Sequence, residues 1–258
     1  MTEIRKYGCT PDDKDNRDLI YKVTAPIPIP DVVDLRPHFP APYDQLRWGS
    51  CVANAIGGGI EYDQMKQGNV TLKNLAVSQP NYFMPSRFFI YNLARYADGN
   101  LKQDAGTQIR TAIKVVVDKG VCPEFDFQYI QSNLYKLPPK SCIKKAIKYN
   151  VLRYERVLDL NALMQCLANG YPVVIGMQVF EEMESEQAAQ TGIVHMPANP
   201  NNVLGGHGVL CVGLFKDKRQ IITRNSWGQW GDHGYFYLPF DYFEPYVTDM
   251  WVITYVNI

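Results

Sequence analysis

No apolar run in this 258-residue chain approaches the roughly 18 residues that a membrane-spanning helix needs. The longest candidate, Pro172 to Phe180, reads as a buried strand. An excess of one charge is lacking too. Lysine plus arginine and aspartate plus glutamate number 26 each, so there is no whole-chain field to attract nucleic acid or an anionic membrane, and neither is expected as a partner. The opening MTEIRKYGCTPDDKDNRD is polar from its first residue and lacks the apolar stretch of a secretory signal. The expectation is a soluble, non-exported chain in the cytoplasm or another reducing compartment. The histidines and cysteines show no CxxC or HxxxH-type spacing, so no metal and no cofactor is expected. Internal repeats and low-complexity tracts are also missing.

Six cysteines are present: Cys9, Cys51, Cys122, Cys142, Cys166 and Cys211. Their number is even, but their spacing does not read as a disulfide framework for so long a chain. Cys166 and Cys211 lie in apolar stretches and read as small core residues. Reduced thiols are expected throughout.

Residues 1–30 differ from the rest. A charge-rich opening is followed by APIPIPD, a proline-studded connector that is stiff and extended. This reads as a leader and linker. Helical patterning then covers Ser50 to Gln67, Ser86 to Tyr96, Thr107 to Lys119 and Leu160 to Ala168, the last two stopped by Gly120 and Gly170. Gly57, Gly58 and Gly59 inside the first of these weaken it, by up to about 1 kcal/mol each, and imply a segment packed closely against it. Strand-like composition follows in Val173 to Phe180, Gly208 to Leu214, Gln220 to Arg224, Gly234 to Leu238 and Asp249 to Tyr255. Helices first and strands second is the α+β pattern. The organisation expected is a leader (1–30), a mainly helical half (31–150) and a β-rich half (151–258).

Acyl transfer by a cysteine needs a thiolate, a base that creates it and donors for the oxyanion. Cys51 stands at the head of the first helix, where the helix dipole lowers a thiol's pKa. Gln45 lies six residues upstream and carries an amide that can donate to an oxyanion, beside the Cys51 N–H. Gly205-Gly206-His207-Gly208 leads into an apolar strand, and its glycines allow an exposed ring at the strand start with backbone packed close. Asn225-Ser226-Trp227-Gly228 follows another strand; the Asn can hold the imidazole tautomer and the Trp can shield that bond from water.

Gln45-(five residues)-Cys51, Gly206-His207 and Asn225-Ser226-Trp227-Gly228, in that order, resemble the papain-like cysteine peptidases over about residues 31 to 258. Val33-Asp34-Leu35-Arg36 looks like the start of a mature domain of that family. Trp230-Gly231-Asp232-His233-Gly234-Tyr235 looks like its glycine-rich hairpin, and Ala105-Gly106 like the segment that pairs with substrate backbone. The set resembles the short-leader branch of bacteria and viruses more than animal cathepsins. The resemblance implies two halves with the active-site cleft between them and a peptide or protein substrate. It also implies a cysteine peptidase with Cys51 as nucleophile, His207 as base, Asn225 as orienter and Gln45 on the oxyanion. Ala105, Gly106, Gly206 and Trp227 are the substrate-binding positions so implied. Non-catalytic peptide binding and thioester acyl transfer to an amine are the alternatives.

Three departures matter. Trp48 stands where the family has a cysteine, so the disulfide that cysteine makes is ruled out. Val52 replaces an aromatic residue after the nucleophile. Cys51 lies farther from His207 and Asn225 than the roughly 130–150 residues expected, which points to an insertion between Glu181 and Gly205. That stretch opens with Glu181, Glu182, Glu184 and Glu186, read as a solvated face. His38, His195 and His233 have no partner signals. Residues 1–30 are expected to be inhibitory, and Cys9 within them is a thiol that could approach Cys51.

Overall fold

The computed structural model describes residues 5–67 and 83–256. In chain order the first elements are strands β1 (Cys9–Thr10) and β2 (Val32–Asp34), then helices α1 (Cys51–Gln67) and α2 (Arg87–Ala97). Strand β3 (Thr107–Gln108) runs straight into α3 (Ile109–Lys119), followed by α4 (Lys140–Ala146), β4 (Val151–Arg156) and α5 (Leu160–Ala168). The remainder is β5 (Val173–Val179), α6 (Glu186–Thr191), β6 (Gly205–Phe215), β7 (Gln220–Arg224), β8 (Tyr235–Pro239) and β9 (Val247–Val256), with short helical turns between. Strands β4-β9-β5-β6-β7-β8 lie side by side in that order, antiparallel throughout, and β2 also pairs with β6. This is the expected α+β architecture of helices against an antiparallel sheet.

Two cores organise it. One gathers α1, α2 and α3 around Ile56, Ile60, Phe88, Phe89, Ile113 and Val116. The other lies on the opposite face of the sheet, where α5 packs Leu163 and Leu167 against Ile175, Val209 and Cys211. Helix α1 has apolar or small residues on every side because it is buried on every side, including against β6. Of its three glycines Gly58 makes the close approach expected, its Cβ position lying 2.6 Å from an Arg224 guanidinium nitrogen, while Gly57 and Gly59 have ordinary contacts at 3.4 and 3.9 Å.

Local chemistry sets the helix ends. The Ser86 hydroxyl caps α2 by accepting from Phe89 N–H, and Asp159 caps α5 by accepting from Ala162 N–H. Helix α3 stops at Gly120, whose φ of +72° suits glycine and whose Cβ would lie 1.8 Å from the Ala146 carbonyl oxygen.

Several elements differ from expectation. Thr107 and Gln108 are extended rather than helical, because they pair with Cys9 and Thr10. Strand β4 was not anticipated; its segment VLRYER alternates weakly and carries three charges. The two-residue β1 and the three-residue β2 are too short to leave a periodic pattern. All six cysteines are free and buried. Among the described residues, no helix is long and apolar enough to cross a membrane.

Candidate active site

Helix α1 begins at Cys51 itself, so the thiol sits on the first turn of a 17-residue helix. Strand β6, on the facing layer, brings His207 opposite. The two meet closely because Gly208 has no side chain: its N–H points at the Cys51 sulfur at 3.3 Å, and a Cβ there would lie 2.8 Å from Val52. Strand β7 ends at Arg224, which delivers Asn225 next to the ring. The Asn225 amide oxygen is 2.9 Å from His207 Nε2 and also accepts from the Ser226 N–H at 2.8 Å. With Nε2 held by that oxygen, His207 Nδ1 is left without a hydrogen-bond partner among the described residues. Trp227 stacks on the imidazole at 4.7 Å between centroids, with a 22° interplanar angle, and covers the His–Asn bond.

Gln45 is fixed from both ends. Its Oε1 accepts from the Ser226 hydroxyl at 2.6 Å, and its Nε2 donates to the Trp48 carbonyl at 2.8 Å. Trp48 fills the place left by the missing cysteine, packing on Phe88 and Tyr129. The structure therefore brings Gln45, Cys51, His207 and Asn225 together. One expectation is corrected. His207 is not exposed at a strand start; it is the third residue of β6 and fully buried, because the glycines around it admit backbone from above as well as below.

That backbone belongs to residues 5–10. The Lys6 carbonyl oxygen accepts from Gln45 Nε2 at 3.4 Å, and the Gly8 N–H helps lower the Cys51 thiol's pKa. Thr107 N–H donates to the Gly8 carbonyl at 2.9 Å, and β1 then runs parallel to β3. Gly8 is wedged between Gly49 and Gly106: a Cβ on Gly8 would be 1.8 Å from the Gly49 carbonyl oxygen, and one on Gly106 would be 2.3 Å from the Gly8 carbonyl oxygen. The Cys9 carbonyl oxygen lies close over Gly206, 2.1 Å from where a Cβ would be. Gly106 and Gly206 thus line the groove that residues 5–10 fill, and Ala105, next to Gly106, is exposed. Cys9 turns its side chain toward Gly176, and its sulfur and that of Cys51 are both unbridged.

The same segment closes the histidine side. Tyr7 packs edge-on against His207, Arg5 sits 4.3 Å over the Trp227 ring, and both reach Glu184, Arg5 as an ion pair. Glu184 belongs to the acidic stretch read as a solvated face; it is exposed and also contacts Arg5 and Tyr7. Lys6 pairs with Asp104 at 3.0 Å.

Electrostatics follow from this burial. The Cys51 thiol is pushed above its ordinary range by desolvation, against the pull of the N–H groups of Gly208, Gly8, Val52 and Cys51. His207 is pushed down to about 4 by desolvation, with the Asn225 hydrogen bond opposing and the Arg5 charge assisting. Both shifts favour a neutral thiol and a neutral imidazole in this arrangement.

Three contributors were not anticipated. Asp104 accepts from Gly49 N–H and Tyr91 O–H, fixing the loop before the nucleophile. The Tyr129 hydroxyl meets Ser50 and donates to the Gln45 carbonyl. Ser226 orients the Gln45 amide. Of these only Ser226 carried a signal, as a member of the Asn225-Ser226-Trp227-Gly228 motif. His38, His195 and His233 lie outside the site, and no group of three metal-binding side chains exists among the described residues.

A thiol on a helix start, an imidazole held by an amide oxygen, and a glutamine amide across from both define a cysteine hydrolase site in a two-layer α+β fold. The family model for papain family cysteine proteases matches residues 29–244, and the chain belongs to that family. It is 33% identical to an uncharacterized peptidase C1-like protein of Acanthamoeba polyphaga mimivirus, over 98% of this chain and 88% of that one. Its fold is similar to that of xylellain, a cysteine protease from Xylella fastidiosa, with a TM-score of 0.86 and 34% identity over 98% of each chain. A digestive procathepsin L 3 of Tenebrio molitor larval midgut shares the fold at a TM-score of 0.72 and 18% identity, over 98% of this chain and 76% of that one.

Proposed function

We propose that this peptidase hydrolyses peptide bonds through a thioester on Cys51 and is held inactive by its own first 30 residues. Supporting both halves of the reading is one arrangement: Gln45, Cys51, His207 and Asn225 converge, and residues 5–10 lie across them.

In this reading, withdrawal of the leader rehydrates the site and removes Arg5 from the imidazole. The Cys51 proton then passes to the orphaned Nδ1 of His207, and the helix dipole and the Gly208 N–H stabilise the thiolate. The sulfur attacks the scissile carbonyl, whose oxygen takes the place of the Lys6 carbonyl beside Gln45 Nε2 and the Cys51 N–H. His207 protonates the leaving amine, and a water that it deprotonates hydrolyses the thioester. Asn225 keeps Nδ1 aimed inward throughout, under the Trp227 roof. Peptide substrate lies against Ala105-Gly106 and Gly206, where the leader backbone lies now.

The test uses the full chain with a cleavage site for a sequence-specific protease inserted near Ala25, in an exposed part of the linker. Turnover of a fluorogenic peptide should rise at least tenfold on cutting, and should vanish in Cys51→Ala. Equal turnover before and after cutting would reject the leader's role. Turnover that survives Cys51→Ala would reject the nucleophile.

A further inference from the structure

Beyond the cleft, the leader makes a second contact that covering the nucleophile does not require. Past β1 it places Asp12 and Asp18 on a face built by α3, β4 and β9. Arg110 holds Asp18 with two parallel bonds, Nε to Oδ1 at 2.9 Å and Nη2 to Oδ2 at 2.6 Å. Arg156 Nη1 approaches the same carboxylate at 3.4 Å. Asp12 accepts from the Trp251 indole N–H at 2.7 Å and from the Arg110 backbone N–H at 3.1 Å, and Arg156 lies 3.7 Å away. The Arg110 N–H belongs to the first turn of α3, whose own N-cap residue, Gln108, makes no side-chain cap. The leader's carboxylate supplies what the helix lacks. Leu19 and Tyr21 then bond the Arg156 backbone.

The enzyme's own contribution to this face is unbalanced. Arg110 is buried there and Arg156 half-buried. Asp249, which takes Arg156 Nη2 at 2.6 Å, is the carboxylate of the enzyme side that pairs with either guanidinium among the described residues. When the leader leaves, Asp12 and Asp18 go with it. Two guanidinium groups, an indole N–H and an uncapped helix start then face one carboxylate. Their donors are arranged for bidentate carboxylate binding. Gln108 and Ile109 alone separate Thr107, the first residue of the cleft strand β3, from Arg110, so a peptide lying on β3 leads directly to this face.

We propose that Arg110, Arg156, the Trp251 indole and the first turn of α3 form a carboxylate-recognition site that, once the leader is gone, takes an acidic segment of a peptide substrate bound in the cleft. The leader is its resident mimic. The proposal rests on the leader reading above.

Its test uses the chain cut at the linker, with loss of the leader verified by mass spectrometry. One fluorogenic reporter is extended on its N-terminal or C-terminal side by the sequence of residues 11–18, or by the same stretch with Asp12→Asn and Asp18→Asn. For at least one side the acidic extension should lower KM about tenfold relative to its amide counterpart, with kcat unchanged, and high salt should erase the difference. In parallel, the anisotropy of a labelled peptide of residues 11–21 reads the site without turnover. That peptide should bind the cut enzyme at least tenfold more tightly than the same peptide carrying Asp12→Asn and Asp18→Asn. Equal KM values for acidic and amide reporters on both sides, or equal affinities of the two peptides, would overturn the proposal. Failure of the unextended reporter to turn over would count against the catalytic reading, and the anisotropy result would still decide this one.

Discussion

Burial, to which six residues near the start of the chain contribute, sets the ionisation of the candidate catalytic pair. His207 titrates at about 4 in the covered chain, against about 6.5 for a free imidazole. Between those values the unfolded chain binds a proton that the folded chain does not, so this residue's contribution to stability is complete above pH 6.5 and is lost as pH falls toward 4. The difference amounts to about 3 kcal/mol at most. Asp12, whose carboxyl is raised by burial and by Asp249, acts in the opposite sense in the acid range. The measurement is therefore comparative: thermal midpoints of Cys51→Ala and of Cys51→Ala/His207→Gln from pH 7 to pH 4.5. The first should fall more steeply; parallel curves would deny that the imidazole is held neutral. Removing the Gln45 amide should cost a different quantity. Gln45→Ala in the cut chain should lower kcat by about 10²–10³, as loss of an oxyanion donor does, and steady-state kinetics on the fluorogenic reporter checks it. The identities of these residues were legible in the sequence because glycines, a helix start and an Asn-Ser-Trp-Gly run mark them locally. The burial of His207 was not, since it depends in part on Tyr7 and on the Cys9 backbone over Gly206, at the far end of the chain from it.

Among the elements, those with periodic or β-rich sequence were legible and those set by distant partners were not. Helix α1 and strands β5 to β9 carry enough periodic or β-rich sequence to be read directly. Strands β1, β2 and β3 exist because of their partners, and in β4 Arg156 answers the distant Asp18 while Arg153 and Glu155 pair with each other. The cap of α2 offers a local test. Ser86 both accepts from Phe89 N–H and donates to the Phe127 carbonyl at 2.6 Å while fully buried. Ser86→Ala should cost about 1–2 kcal/mol of unfolding free energy in a urea titration. The fit of β1 beside β3 offers another. Gly8 has no room for a side chain beneath it, so Gly8→Val should lift the leader and raise the turnover of the uncut chain toward that of the cut one. An unchanged low turnover would mean that the leader holds without this close contact.

At the scale of the whole molecule, one chain brings together a candidate active site and a segment, residues 5–21, that crosses both it and a face carrying Arg110 and Arg156. A composition break near residue 30 sets the N-terminal stretch apart in the sequence; its path could not be read there, because it is set by glycine-to-glycine approach and by ion pairs between distant residues. Labelling with a peptidyl electrophile that alkylates thiols, followed by mass spectrometry of the modified residue, tests the central claim most directly. Six cysteines are available, all buried. Modification should fall on Cys51 alone, at one per chain, and only after the leader has been cut away. Labelling of Cys51 at equal rates in the cut and intact chains, or of another cysteine in its place, would contradict the account.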